Sequence, residues 1–148
     1  MPEKETLERA KKDKSEGKAP STQAGEFVRE EIEHVREGRH GARSTKQAIA
    51  IGLSKARRAG VKLASPTEAT ASKKTREQAQ RDTRKGKSSS KSKPSTTRSR
   101  ATLNALKREG HSAATKQALS RQARSAAASR SKTSRSRSAK KAASTRKK

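Results

Sequence analysis

The fold is decided by residues 24–63, which read AGEFVREEIEHVREGRHGARSTKQAIAIGLSKARRAGVKL. This segment holds nine of the 13 Leu, Ile, Val and Phe residues in a chain of 148. The other hydrophobic residues are mostly alanine, which occurs 24 times. Because globular cores are built mainly from large apolar side chains, only this segment is predicted to form a packed unit.

The first half of the segment predicts an amphipathic helix over about residues 22–37. Its apolar stripe follows helical spacing and consists of Ala24, Phe27, Val28, Ile32 and Val35. The glutamates around this stripe are expected on the exposed face, and they are Glu26, Glu30, Glu31 and Glu33. Gly38 follows as a typical helix end.

The second half predicts another helix over about residues 45–59. Ser44 is the expected N-cap, with Gln47 reaching back to it in a capping box, and Gly60 ends the helix. The predicted apolar stripe consists of Ile49, Leu53 and Ala56, widened by Ile51. The two helices form a helix–turn–helix hairpin. A unit this small is usually marginal alone, so weak self-association through the hairpin is expected.

The rest of the chain is strongly basic and poor in apolar residues. The net charge is +26, to which residues 1–40 contribute −1 and residues 41–148 contribute +27. Large apolar residues are 13 of 148, far below the ~20% under which a highly charged chain is expected to be disordered. The predicted fold class is therefore a mostly disordered chain with a small all-α helical hairpin.

Composition divides the chain into five segments. They are a polar, weakly helical N-terminal segment (1–20), the helix–turn–helix hairpin (21–63), a disordered linker (64–100), a degenerate alanine-rich helical repeat (101–130) and a disordered basic tail (131–148). The repeat rests on REG followed by TKQA, which occurs at residues 36–48 and again at 108–118. Such a biased composition makes chance matches easy, so duplication and coincidence both stay open. If the repeat is real, it forms a second, weaker helical hairpin.

A sequence block in the second predicted helix resembles a known family. Residues 46–51 read KQAIAI and residues 54–60 read SKARRAG. This resembles small basic bacterial and phage proteins of uncharacterised function, some labelled as plasmid-stabilisation or DNA-binding proteins. The resemblance covers roughly residues 26–63 and implies a bacterial host. The expected location is the cytoplasm, at the nucleoid. The tail is similar in composition only to the tails of linker histones and bacterial histone-like proteins.

Several classes of function are not expected. No apolar run approaches the ~20 residues of a membrane span, and zero Cys excludes thiolate metal sites. His34 and His40 lie six residues apart across the predicted turn with no third ligand spaced for a metal, so both are interpreted as solvated turn histidines, as is His111. No serine elbow with a partner base and no glycine-rich phosphate loop is recognisable. An enzyme, a cofactor and a metal are therefore not predicted.

The basic excess favours a polyanion partner. The leading hypothesis is sequence-nonspecific, histone-like DNA binding by phosphate neutralisation. The alternatives are an RNA- or ribosome-associated basic protein, and a protein-interaction hairpin that its tail localises to nucleic acid. The absence of Trp and Tyr argues against base stacking on single strands. The predicted phosphate-binding residues are Lys46, Lys55, Arg57, Arg58, Lys62, Arg108, Lys116, Arg121, Arg124, Arg130, Arg135, Arg137, Lys140 and Lys141.

Overall fold

The computed structural model describes residues 1–88 and 95–146, which form seven α-helices and one short 3-10 helix, η1. In chain order the elements are α1 (Lys4–Ser15), α2 (Pro20–Arg36), α3 (Thr45–Arg58), α4 (Lys73–Lys87), α5 (Thr96–Lys107), η1 (Ser112–Ala114), α6 (Lys116–Ala128) and α7 (Lys132–Arg146). The hairpin of α2 and α3 lies at the centre, with α1 against α2 and α4 against α3.

The prediction of a mostly disordered chain is wrong. The segment predicted as a disordered linker contains α4, and the segment predicted as a disordered tail contains α7. Residues 89–94 and 147–148, which belong to those two segments, lie outside the described residues. The prediction rested on the low content of large apolar residues, which reflects only how much apolar surface a segment can bury. Helix formation also depends on helix propensity and on small residues that allow close packing.

Capping and propensity explain the unforeseen helices. Ser72 accepts a hydrogen bond from the Thr75 backbone N–H at the start of α4, and Thr115 accepts one from the Ala118 N–H at the start of α6. Alanine, lysine, arginine and glutamine dominate these helices, and all four have high helix propensity. The capped N-termini satisfy backbone donors that would otherwise need water.

The predicted hairpin helices lie where the pattern placed them. Gly38 and Gly60 follow α2 and α3 with φ of 73° and 93°, a left-handed conformation that glycine adopts without steric cost. Ser44 Oγ accepts from the Gln47 N–H at 3.2 Å, as expected of the N-cap. The Gln47 side chain reaches one residue further than predicted and accepts from the Arg43 N–H at 2.7 Å.

The two helices meet through small side chains rather than through the predicted stripe on α3. The buried residues of α3 are Thr45, Ala48, Gly52 and Ala56. The isoleucines and leucine that the sequence placed at the centre of the stripe are only half-buried, namely Ile49, Ile51 and Leu53. A small residue at every fourth position lets the backbones approach closely, so the larger side chains flank the contact instead of filling it.

Gly52 marks the closest approach of the two helices and carries a stability prediction. We expect Gly52→Ala to lower the free energy of unfolding by about 1–3 kcal/mol. A Cβ at this position would lie 2.7 Å from Val28 Cα and 3.0 Å from Phe27 O, so the helices would have to separate. Gly25→Ala on α2 is the matched control, because a Cβ there meets nothing within 4 Å and should stabilise the helix by about 0.5–1 kcal/mol. Urea denaturation measures both, and equal effects would contradict the close contact.

Two apolar clusters stabilise the hairpin from opposite ends. One surrounds Phe27 and joins α1 to the ends of α2 and α3; its buried members are Ala10, Ala24, Phe27, Ala56 and Val61. The other lies near the hairpin turn and includes residues from η1; its buried members are Ile32, Val35, Ala42, Ala48, Ala113 and Ala114. Both clusters take residues from outside the hairpin, so distant segments of the same chain complete its core.

Residues 106–114 are joined to the hairpin turn by hydrogen bonds to their backbone carbonyls. Gly41 N–H donates to the Leu106 carbonyl at 2.9 Å, and Ala42 N–H donates to the Gly110 carbonyl at 3.0 Å. The Thr45 hydroxyl donates to the Ala113 carbonyl at 2.6 Å. This segment covers part of the apolar surface of the hairpin. Self-association was expected because the hairpin alone would leave that surface exposed, and this reason no longer applies.

The second predicted hairpin does not close on itself. Its helices are present as α5 and α6, but α6 packs against η1 and α3 rather than extensively along α5. Leu119 of α6 contacts the apolar cluster at the hairpin turn. No residue of α5 is buried, and the described side chains of α7 are exposed or half-buried. The helices α5 and α7 therefore lie at the periphery.

Candidate functional site

A group of charged side chains is buried between α2 and α3. Glu30 and Glu31 are only 2% and 1% exposed. The Lys55 ammonium lies 2.9 Å from Glu30 Oε1 and 2.7 Å from Glu31 Oε2, and its side chain is 16% exposed. The Glu3 backbone N–H donates to Glu30 Oε2 at 3.0 Å. The two glutamates were expected on the exposed face and Lys55 among the phosphate-binding cations; the structure buries both glutamates and leaves Lys55 half-buried against them.

Hydrogen bonds and ion pairs favour the charged forms of Glu30 and Lys55 despite their partial or full burial. Burial alone would raise the pKa of Glu30, but hydrogen bonds from Lys55, from the Glu3 N–H and from Thr6 outweigh it and lower that pKa. Burial alone would lower the pKa of Lys55, but its close contacts with the Glu31 and Glu30 carboxylates outweigh burial and raise that pKa. Each partner therefore stabilises the ionised form of the other.

The two hairpin histidines lie beside this group, not in solvent. His40 is 8% exposed, with Nδ1 3.0 Å from the Gly41 carbonyl and Nε2 3.1 Å from Glu31 Oε1. His34 Nε2 lies 3.1 Å from Glu3 Oε1 and 3.0 Å from an Arg39 nitrogen. The interpretation of these residues as solvated turn histidines is wrong, because the turn folds back over α2 and covers them.

Glu31, His34 and His40, here called the histidine cluster, place one ligand atom each within 4.8 Å of the other two. The sequence analysis found no third ligand spaced for a metal, because it assigned Glu31 to the exposed face of the first predicted helix. The available signal was the spacing of Glu31 and His34, since residues three apart lie on the same face of a helix.

The salt bridges around Glu3 hold the start of α1 against this cluster. Hydrogen bonds from Arg39 and from His34 lower the pKa of Glu3. The Arg39 guanidinium also lies 2.9 Å from Glu37 Oε2. These contacts join residues at the start of the chain to the hairpin turn.

The cations predicted on and after α3 do not form a continuous phosphate-binding face. Arg57 is half-buried and donates to the Ala64 carbonyl at 3.3 Å. Arg58 lies 3.7 Å from Asp82 Oδ1 of α4. Lys46 and Lys62 are exposed, but they lie at opposite ends of the helix. One cation that was predicted to bind phosphate, Arg58, is therefore close to a carboxylate of α4 instead.

The helix α6 has one side packed against the fold and the opposite side lined with exposed cations. Its inner side is anchored by Leu119 on the apolar cluster. Its outer side forms a shallow concave surface, here called the α6 face, lined by Lys116, Gln117, Ser120, Arg121 and Arg124. Within the described part of the chain, none of its three cations forms an ion pair with a carboxylate.

Further exposed cations lie in the segment from the end of α5 to α7. The predicted residues found exposed here are Arg108, Arg130, Arg135, Arg137, Lys140 and Lys141. On α7 a second shallow surface is lined by Lys132, Arg135, Ser136 and Ala139. In the whole sequence after Asp82, the only acidic residue is Glu109. This half of the molecule therefore carries a nearly uncompensated positive charge.

Residues 11–66 match a family of unknown function, DUF6496. This segment includes the last turn of α1 together with α2 and α3, so it contains the histidine cluster and Lys55, whereas α6 and α7 lie outside it. No curated protein and no solved structure matches the chain. In the described residues, no helix has both the length and the apolar character needed to cross a membrane.

Proposed function

We propose that the chain binds duplex DNA without sequence preference, as a nucleoid-type protein that neutralises phosphates with the α6 face and α7. The observation that carries this proposal is the contrast between the two halves of the surface. About half of the cations before residue 83 are paired with carboxylates, as in Arg9–Glu26 at 2.7 Å and Arg76–Glu68 at 2.9 Å. Cations after it have almost no carboxylate available.

This contrast matters because unpaired cations are the groups that release counterions from DNA. A lysine or arginine that is already paired with a carboxylate must give up that pair to bind a phosphate, so the net gain in binding free energy is small. A free cation replaces condensed counterions on a phosphate, and their release drives binding. The α6 face adds hydrogen-bond donors from Gln117 and Ser120, which suit phosphate oxygens.

The geometry favours backbone contact over base recognition. Direct readout requires side chains held rigidly against base edges. The α6 helix has one large apolar anchor, Leu119, and the described side chains of α7 are not buried at all. Cations held this loosely can follow the phosphate backbone, but they do not select a sequence.

Removing the cations of the α6 face should flatten the salt dependence of binding. We expect the combined change Lys116→Gln, Arg121→Gln and Arg124→Gln to make the log–log slope of affinity against salt shallower by about two to three, since each phosphate contact contributes about 0.9. Fluorescence anisotropy with a duplex DNA at several salt concentrations measures the slope. The glutamines keep the side chains long and polar, so helix propensity is retained.

The matched control removes the same charge from the other half of the surface. Lys4, Lys11 and Lys14 are exposed on α1, and their combined change to Gln should leave the slope within about half a unit. Equal flattening by both triple variants would show that net charge alone matters and would contradict a role for the α6 face. A thousandfold preference for one duplex sequence at high salt, or for duplex RNA over DNA, would overturn the proposal.

A further inference from the structure

His40 and Glu31 bring two hydrogen-bond acceptors together. The Nδ1 atom of His40 lies 3.0 Å from the Gly41 carbonyl, which only accepts, so this nitrogen carries a proton. In the neutral imidazole Nε2 then offers a lone pair, yet it lies 3.1 Å from Glu31 Oε1. An ionised carboxylate also only accepts. The contact is favourable only with a second proton on the ring or with a metal ion between the two atoms.

From this juxtaposition we infer that Glu31, His34 and His40 form a binding site for a divalent transition metal ion of the zinc class. Two imidazoles and one carboxylate are a known set of protein ligands for zinc, with the fourth position left to water or to another carboxylate. Glu3 is placed to supply that fourth ligand, because its Oε1 lies 3.1 Å from His34 Nε2.

The spacing of the ligand atoms fits this assignment. Metal–ligand bonds of about 2.0–2.2 Å in a tetrahedron separate neighbouring ligand atoms by roughly 3.3–3.6 Å. The contact between Glu31 and His40 is already 3.1 Å, and all three ligand atoms lie within 4.8 Å of one another. The wider separations must shorten for all three atoms to bind one ion.

The surrounding residues orient the ligands. The Nδ1–H of His40 is bound to a backbone carbonyl, which directs Nε2 towards Glu31, and this is the usual outer contact of a metal-binding histidine. Glu31 and His34 are carried on one face of α2. The hairpin turn that carries His40 is held by the hydrogen bond from Gly41 N–H to the Leu106 carbonyl.

The local charge also favours a divalent cation. Four carboxylates lie in or around the site, from Glu3, Glu30, Glu31 and Glu37, against two cations from Lys55 and Arg39. With neutral imidazoles the surplus is two negative charges. A nitrogen of Arg39 contacts His34 Nε2 and would have to move away for a metal ion to bind there. The Arg39 guanidinium also has a salt bridge to Glu37 at 2.9 Å, which does not involve His34. Glu31 Oε2 is buried without a well-directed hydrogen bond, although Lys55 Nζ lies 2.7 Å away.

The chain offers a clean test because it contains three histidines and no cysteine. His111 lies outside the cluster, is exposed, and contacts the Val35 carbonyl through Nδ1 at 2.8 Å. We expect one equivalent of Zn²⁺ added to the full chain to shift the imidazole NMR resonances of His34 and His40 and to leave those of His111 in place. Calorimetry should give a stoichiometry of one.

Substitutions provide the second measurement. His34→Ala removes a ligand at the partly exposed edge of the cluster and should weaken Zn²⁺ binding by at least about tenfold, as loss of a ligand or of its outer contact does elsewhere. His111→Ala should bind like the unmodified chain. The inference is overturned if excess Zn²⁺ produces neither heat nor imidazole shifts, if all three histidines shift alike, or if His34→Ala binds as tightly as the unmodified chain. The NMR result needs no variant, so poor folding of a variant does not obscure it.

Discussion

A chain that ends at Arg130 is expected to bind duplex DNA with a log–log salt slope shallower by up to about 7 than that of the full chain. The truncation removes eight basic residues and no acidic one. Each cation that neutralises a phosphate contributes about 0.9 to the slope. Because the described side chains of α7 are not buried, the rest of the fold should keep its thermal stability. Anisotropy titrations from low to moderate salt measure the effect.

A full-length chain with the same eight residues changed to glutamine separates charge from length. If phosphate neutralisation is the cause, this variant and the truncated chain show the same shallow slope, and both retain the thermal stability of the unmodified protein. A truncated chain with an unchanged slope would show that α7 does not contact DNA. A large loss of thermal stability would instead show that α7 supports the fold.

Lys55→Met is expected to lower the free energy of unfolding by about 3–5 kcal/mol. The methionine fills the volume of the lysine stem but leaves the carboxylates of Glu30 and Glu31 buried without their shared cation. An uncompensated buried charge costs far more than the intact pair contributes. Urea denaturation at neutral pH with a chelator present measures the loss. Lys46→Met, at an exposed position of the same helix, should change the free energy by no more than about 0.5 kcal/mol.

A second substitution shows whether charge is the cause. Adding Glu30→Gln to Lys55→Met removes one of the two unpaired carboxylates and should recover part of the lost stability, whereas independent effects would simply add. A loss below about 1 kcal/mol for Lys55→Met alone would contradict a buried ionic contact and would place both glutamates in water.

The histidine cluster and the exposed basic surface of α6 and α7 differ in how far sequence could find them. The basic excess after residue 83 is visible in composition, and the exposed cations of α6 and α7 follow from it. The histidine cluster was missed because helix spacing shows which residues share a face but not which face is buried. Lys55 was assigned outward for the same reason, since its partners lie 24 and 25 residues away.

The sequence by itself determined the positions of the two central helices and the sign of the charge along the chain. It also determined the N-cap of the second helix at Ser44 and the ends of the two helices at Gly38 and Gly60. These are local properties, set by periodicity, by capping side chains and by the conformational freedom of glycine. Composition alone could not foresee order after residue 63, because short helices with few large apolar residues gain stability from contacts with the rest of the chain.

Only the tertiary structure decided which faces are covered. Residues 106–114 close over the hairpin turn, and Gly86 of α4 lies so close to the Arg57 carbonyl that any side chain there would overlap it. Glu30 and Glu31 are buried against Lys55 of α3, and Glu30 also accepts a hydrogen bond from the Glu3 backbone at the start of α1. Burying a charge is unfavourable until its partner is in place, so the arrangement exists only once the helices have packed together.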